Sequence, residues 1–135
     1  MNSAEMSQNT DRIEDLSDER TPLLRVAALL GLTAVALGAF GAHGLEKWIG
    51  DPRRLEIWDT AVLYHLVHSV MLYIIAVAGV LRRAAWRAMA AGIVVFSGSL
   101  YLLVLTDVKW LGAITPIGGV LFLVGWGLLV FRPAR

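Results

Sequence analysis

Cysteine is absent from this 135-residue chain, which excludes disulfides, thiolate metal sites, iron–sulfur clusters and a cysteine nucleophile. Charged residues are also scarce, at 17% of the chain against about 25% in average soluble proteins. Most charges lie between long apolar runs, and 57% of all residues are apolar. This composition predicts an all-α polytopic membrane protein.

The usual constellations of an enzyme are missing from the apolar segments. They contain no pair of carboxylates, no Ser/His/Asp set at a common depth and no phosphate-binding loop. We therefore predict a protein that is not an enzyme and has no cofactor. Positive charges fall at the ends of the apolar segments rather than in a stripe, which argues against nucleic acid as a partner.

The N-terminal stretch differs in charge from the remainder of the chain. Residues 1–22 carry six acids and two arginines, a net charge of −4, whereas the remainder carries ten bases and five acids, a net charge of +5. Because residues 1–21 have few large apolar side chains and no periodicity, they are predicted to be a disordered acidic tail. An acidic stretch before a long apolar core does not match a signal peptide, which begins with a basic region.

Four apolar segments are predicted to be transmembrane helices in one domain, residues 22–132. Thr21-Pro22 and Asp51-Pro52 each place a capping side chain before a proline, which is a typical helix start. We expect the helices to pack as an antiparallel four-helix bundle. Their predicted bounds are about 23–43, 52–81, 86–106 and 110–131.

The basic residues predict how this bundle is oriented. Four crossings bring both termini to one side, which holds eight arginines, whereas the opposite side holds two lysines and two arginines. The positive-inside rule then places both termini in the cytoplasm. The tryptophans fit an aromatic belt, with three at the outer boundary (Trp48, Trp58, Trp110) and two at the inner one (Trp86, Trp126).

Polar side chains interrupt the second apolar segment. At about 100° per residue, Thr60, Tyr64 and His68 lie one turn apart on a single helix face. His65 and Ser69 lie at the edge of that face. Hydrocarbon cannot hydrogen-bond these groups, so we expect other helices or trapped water to cover them.

Counting helical residues inward from the membrane boundaries, at about 1.5 Å each, matches the depths of polar groups on different helices. His68 and Ser97 both fall near the midplane and are predicted to hydrogen-bond. His43 falls near the outer surface, too far from His68 to share a site with it. The predicted buried polar cluster comprises Thr60, Tyr64, His68, Ser97, Ser99, Tyr101 and Thr115.

The buried histidines allow three interpretations: a structural hydrogen-bonding role, a pore-lining or proton-handling role, and ligation of a metal or haem. His65 and His68 are three residues apart and could share a metal. Asp59, however, points away from the face of His68, and no other carboxylate joins the two histidines. We therefore expect no metal site.

A break is predicted in the fourth helix at Pro116, Gly118 and Gly119. Pro116 cannot donate to the carbonyl four residues earlier, so the helix either kinks or starts afresh with Thr115 as its N-cap. Residues 116–131 alone would span only about 24 Å, which favours a kinked helix. A fresh start would offer free amides to an anionic ligand, as broken transporter helices do.

Small residues recur every four positions in the first helix, at Ala27-Gly31 and at Ala34-Gly38-Ala42. In lipid, small side chains let two helices approach closely. The contact they predict is either inside one subunit or at the seam of a dimer.

Several motifs then follow one another along the chain: Gly38-Ala39-Phe40-Gly41-Ala42-His43-Gly44-Leu45, Thr60-Ala61 with Tyr64 and His68, Phe96-Ser97-Gly98-Ser99-Leu100-Tyr101, and Leu111–Gly119 with Gly125-Trp126. In this order they resemble the small membrane proteins of domain-of-unknown-function family 423, to which transmembrane protein 256 is similar. The resemblance covers about Leu24 to Phe131. It implies a four-helix integral membrane protein, in bacteria of the inner membrane, with no assigned activity. His65 departs from the family pattern, in which glutamine is common beside the tyrosine.

Three functions are compatible with these features. The first is a non-enzymatic packing, assembly or lipid-contacting subunit of the inner (plasma) membrane. The second is a small transport or channel subunit that works as an oligomer, with a polar path near Tyr64 and His68. The third is a haem or metal carrier. The expected partners are membrane lipids, with self-association or a larger membrane complex as further options.

Overall fold

The structure, a computed structural model, describes residues 3–78 and 82–131, without the side chains of residues 11–18. Every regular segment in these ranges is helical, as predicted. Four helical segments are long and apolar enough to cross a membrane, and we call them spans 1 to 4: Glu19–Ile49, Pro52–Val77, Arg83–Thr106 and Lys109–Phe131.

Span 1 belongs to a helix that begins much earlier than predicted. Helix α1 (Ser3–Phe40) continues through a π-helical turn (Gly41–Leu45) into α2 (Glu46–Ile49). Residues 3–21 are therefore helical and not the disordered tail expected from the sequence. The predicted helix start at Thr21-Pro22 is wrong, because Pro22 lies inside α1. Proline has no N–H to donate to the carbonyl four residues earlier, but residues 3–21 themselves contain neither glycine nor proline. Gly50, at φ 58°, ends α2 by donating its N–H to the carbonyl of Glu46.

Span 2 is helix α3 (Pro52–Val77), which begins as predicted. The side chain of Asp51 accepts the backbone N–H of Arg53 at 3.0 Å, and Pro52 takes the first helical position. The described part of this segment ends at Ala78, so the predicted end at Leu81 lies outside the described residues.

Span 3 consists of α4 (Arg83–Gly92), a π-helical turn (Ile93–Ser97) and α5 (Gly98–Thr106). It begins three residues before the predicted start. The π-helical turn holds more residues per turn than an α-helix, so side chains after it point to different faces than a regular helix would give them. Asp107, at φ 58°, ends the helix and donates its N–H to the carbonyl of Leu103 at 2.9 Å.

Span 4 changes helix type instead of kinking at Pro116. A 3₁₀ helix (Lys109–Ala113) is followed by Ile114 and then by α6 (Thr115–Phe131). Proline fits the first turn of α6, where a backbone N–H has no carbonyl four residues earlier within the helix. The 3₁₀ segment also rises about 2.0 Å per residue and adds about 10 Å to the span. A helix that starts at Thr115 is therefore no longer too short for span 4 to cross the membrane.

The spans contact one another in the order of the chain: α1 packs on α3, α3 packs on α4 and α5, and α4 packs on α6. Glycine allows the closest of these contacts. A Cβ added at Gly118 would lie 2.4 Å from the backbone nitrogen of Phe96, and one at Gly41 would lie 2.6 Å from the Trp58 indole. Two apolar clusters form the core, one of Ala27, Leu72, Ile75, Trp86, Met89, Ile93 and Phe122 and the other of Leu45, Trp58 and Val104.

Candidate functional site

His68 lies at the centre of the polar groups between spans 2 and 4. Its Nδ1 lies 2.8 Å from the carbonyl oxygen of Tyr64, and the indole N–H of Trp126 donates to its Nε2 at 3.3 Å. An indole nitrogen can only donate, so Nε2 accepts and Nδ1 carries the proton. The imidazole is therefore neutral, with both nitrogens engaged. Its ring also stacks on Phe122 at a centroid distance of 3.6 Å.

Tyr64 is only half covered by protein. Its ring packs on Phe96 and Phe122 at 4.5 and 5.9 Å, yet the residue is 40% exposed. It lines an open cavity of about 450 Å³ whose other wall includes Pro116 and Gly119 of span 4. Neither of these residues has a long side chain, so span 4 covers Tyr64 only in part, through Phe122.

Thr60 is exposed as well, and it donates to the carbonyl of Glu56 in its own helix at 2.9 Å. The expected cover of the polar face is thus incomplete, since only His68 of its three members is buried. His65 and Ser69, predicted at the edge, are both buried. The contact surface of α3 is therefore rotated toward the His65 side of the helix.

Ser97 does not bond His68 as predicted. It is fully buried and donates to the carbonyl of Ala61 at 2.9 Å, which ties span 3 to span 2. The prediction assumed a regular α-helix from Trp86 to Ser97, whereas the π-helical turn Ile93–Ser97 changes the direction of the serine.

Ser99 and Thr115, two members of the predicted polar cluster, are in contact. Their hydroxyl oxygens lie 2.9 Å apart and connect α5 to the first residue of α6. Ser99 Oγ also lies 2.9 Å from the carbonyl of Phe96, and Thr115 Oγ1 lies 3.4 Å from that of Leu111. The predicted N-cap residue thus bonds a neighbouring helix and the turn before it.

Tyr101 bonds His65, a pairing that the sequence did not indicate. The phenol oxygen lies 3.2 Å from His65 Nδ1, and the Tyr101 ring packs on Trp58 at 4.7 Å. His65 Nε2 is buried without a hydrogen-bond partner among the described residues. Trp58 in turn donates its indole N–H to the carbonyl of Leu37 at 2.9 Å, which ties span 2 to span 1.

Two arginines also bond helix carbonyls, a role beyond that of the boundary charges predicted from the sequence. Arg54 donates to the carbonyl of Val104 near the end of α5, and Arg82 donates to that of Leu129 near the end of α6 at 3.0 Å. The last four carbonyls of any helix lack partners inside it, and basic side chains commonly bond them. An arginine near the predicted end of a helix could therefore have indicated these two bonds.

His43 is exposed and lies in the π-helical turn of span 1. Within the described ranges, no group of three or more His, Asp or Glu side chains could hold a metal ion. His68 could not ligate a metal without giving up one of its two hydrogen bonds. The geometry therefore lends no support to a site shared by His65 and His68.

Comparison with known protein families shows which family the chain belongs to. The model of the family described as "Protein of unknown function (DUF423)" matches residues 37–119. The chain belongs to this family. The DUF423 match includes Tyr64, His68 and Gly118 but ends before Phe122 and Trp126, two of the aromatic partners of His68.

Relatives of this DUF423 chain are named as membrane proteins. UPF0382 membrane protein YwdK of Bacillus subtilis (strain 168) is 47% identical over 117 residues, which cover 82% of this chain and 94% of that protein. UPF0382 membrane protein SAB0533 of Staphylococcus aureus (strain bovine RF122 / ET3-1) is 49% identical over 110 residues, covering 78% and 88% respectively. These findings confirm the resemblance drawn from the sequence motifs. No solved structure matches the chain.

Proposed function

We propose that this DUF423 protein is a non-enzymatic assembly or lipid-contacting subunit of the bacterial inner membrane. Its four spans would cross the membrane antiparallel, with both termini in the cytoplasm. The observation that carries the proposal is the bonding of His68: the Tyr64 carbonyl and the Trp126 indole engage both imidazole nitrogens between spans 2 and 4.

The glycine contacts support the antiparallel arrangement. A Cβ at Gly31 would meet Ser69 at 3.9 Å, one at Gly38 would meet Val62 at 3.2 Å, and one at Gly41 would meet Trp58. Contacts that move up span 1 while moving down span 2 are those of two helices running in opposite directions. Spans 3 and 4 repeat the pattern through the pairs Phe96–Gly118, Gly92–Phe122 and Met89–Gly125.

The pairing of other buried polar groups supports a non-enzymatic role. The Ser97 hydroxyl and the Trp58 indole donate to backbone carbonyls of neighbouring spans, while Ser99 and Thr115 bond each other. Hydrogen bonds between helices stabilise helix contacts in membrane proteins, each by about 0.6 kcal/mol on average. A catalytic group would instead need a reactive atom directed at a substrate.

The exposed side of Tyr64 supports contact with lipid or with a further membrane protein. Its ring is held by Phe96 and Phe122, but the residue borders an open cavity on the outside of the bundle. A phenol at this depth has no water to bond, so a partner that supplies an acceptor in the membrane would be favoured.

The replacement His68→Ala tests the role of the imidazole in cells that carry the chain at its normal level. If the imidazole is structural, the amount of protein in the membrane and the growth phenotype of the strain should fall together. Quantitative immunoblotting of membrane fractions, with Thr60→Ala as an exposed control on the same helix, measures this. A phenotype at full protein level would contradict the proposal.

A second candidate function is a transport or channel subunit. The open cavity beside Tyr64 and His68 favours it, because a path for solutes between protomers would need polar groups at this position. Such a subunit should show altered ion or solute flux in proteoliposomes after His68→Ala, while thermal stability and oligomeric state remain unchanged.

A further inference from the structure

A narrow crevice separates α3 from α6 at the end of the bundle where both helices finish. It has a volume of about 350 Å³ and is walled by apolar side chains, including Met71, Ile75 and Leu129. Arg82 also lines it, and its bond to the carbonyl of Leu129 puts the guanidinium beside the last turn of α6. The crevice thus has a charged end at the membrane boundary and an apolar interior.

The crevice adjoins the cavity beside Tyr64 and His68, because Trp126 lines both. From Ala78 to His68 is ten helical residues, or about 15 Å. That is half of a hydrocarbon core of about 30 Å, the depth of one lipid leaflet. The groove therefore begins at the headgroup level and ends near the midplane.

The width of the crevice suits an acyl chain better than a helix. Met71 to Ala78 spans about 10 Å, so a volume of about 350 Å³ corresponds to a cross-section of about 35 Å². An α-helix with its side chains is about 10–12 Å in diameter, too wide to enter. A helix from a second copy could cover the opening but would leave the interior empty.

Arg82 supplies the charge that selects a headgroup. One guanidinium nitrogen donates to the carbonyl of Leu129 at 3.0 Å, and a guanidinium has five N–H donors. Among the residues that the structure describes, the Leu129 carbonyl is the acceptor that this guanidinium bonds. Arg83, by contrast, forms an ion pair with Glu19 at 2.5 Å. Arg82 is therefore the cation placed to receive a phosphate, whose oxygens match the planar guanidinium.

We infer that the crevice between α3 and α6 binds one anionic phospholipid, with the lipid phosphate on Arg82 and an acyl chain against Ile75, Leu129 and Trp126. This inference rests on the lipid-contacting role proposed above and names its ligand. Lipid bound here would bridge spans 2 and 4, which otherwise meet mainly through side chains such as His68, Phe122 and Trp126.

The test is native mass spectrometry of the full chain, released from detergent in the presence of phosphatidylglycerol or of phosphatidylcholine with the same acyl chains. The wild type should retain one phosphatidylglycerol in preference to phosphatidylcholine. Arg82→Gln should lower the retention of phosphatidylglycerol about tenfold, the effect of one charge-assisted hydrogen bond. Arg87→Gln removes the same charge at the same boundary, but Arg87 lines a different cavity with Glu19 and Trp86, so it should have little effect.

Ala78→Phe provides a second test that leaves the charge in place. It should narrow the crevice and reduce the retention of phosphatidylglycerol even though Arg82 is intact. If the Arg82→Gln protein fails to accumulate, this variant by itself tests whether the crevice binds the lipid. Equal losses for Arg87→Gln and Arg82→Gln would overturn the inference in favour of diffuse surface charge. Unchanged binding by Ala78→Phe would also overturn it, as would displacement of the lipid by glycerol phosphate. These outcomes leave the His68→Ala result in cells untouched, so the two proposals fail separately.

Discussion

The buried histidines differ in what their surroundings provide. His68 has an acceptor for its Nδ1–H and a donor for its Nε2, and it stacks on Phe122. His65 has the phenol of Tyr101 at Nδ1 and no described partner at Nε2. Polar groups are costly in an apolar interior unless they are bonded, so the pair from Trp126 to His68 should contribute measurably to stability.

Trp126→Phe removes the indole N–H and keeps an aromatic ring in place. We expect the free energy of unfolding to fall by about 1 kcal/mol, because His68 Nε2 loses its donor. Chemical unfolding in detergent micelles, followed by circular dichroism, measures the change. The control Trp48→Phe alters a side chain that is 77% exposed and should change stability by less than about 0.5 kcal/mol. Equal effects of the two replacements would count against the role assigned to Trp126.

At the scale of the elements, α6 crosses the π-helical turn of span 3 with backbone close to backbone. Gly118 faces the backbone of Phe96, where an added Cβ would lie 2.4 Å from the nitrogen and 2.7 Å from Cα. Backbone atoms inside a helix cannot move aside as the end of a flexible side chain can. The two helices would have to separate to admit even a methyl group.

Gly118→Ala should therefore destabilise the protein by about 2 kcal/mol, as overpacking of a close contact does. Gly127→Ala is the matched control in the same helix, since a Cβ there would meet nothing within 4 Å. That control should leave stability unchanged or raise it by up to about 1 kcal/mol, because alanine is the better helix former. Both are read from the same unfolding experiment, and a loss at Gly127 equal to that at Gly118 would contradict the close crossing.

The elements also show where sequence reasoning succeeds and where it stops. Asp51-Pro52 marked the start of α3, because capping is a local interaction. The predicted bond from Ser97 to His68 is wrong, since Ser97 ends a π-helical turn that hydrophobic periodicity does not reveal, and it bonds Ala61 instead. Residue count puts Ser99 and Thr115 in the same polar cluster, but their direct contact at 2.9 Å is known only from the structure.

Exposure was the least predictable property of the candidate site. Tyr64 and His68 share a helix face, yet one is 40% exposed and the other is buried. Phe122 contacts both rings, but it stacks on His68 at 3.6 Å and on Tyr64 at 5.9 Å, and Trp126 bonds only His68. Tertiary packing decides which residue of another span lies opposite a given side chain. The spacing of residues within one helix does not reveal it.

For the whole molecule, the account depends on four crossings of the membrane with the two termini on one side. The basic residues favour a cytoplasmic location for that side. The glycine contacts between spans 1 and 2 and between spans 3 and 4 support the proposed antiparallel arrangement. Lys109 should then lie on the outer side of the membrane, and Arg135 on the cytoplasmic side.

Cysteine labelling tests this arrangement directly, because the native chain has no cysteine and provides a blank. Lys109→Cys and Arg135→Cys are each exposed, in intact spheroplasts and after permeabilisation, to a maleimide that cannot cross the membrane. The account predicts that Lys109→Cys is labelled in intact spheroplasts and Arg135→Cys only after permeabilisation. Labelling of both positions from the same side would contradict it.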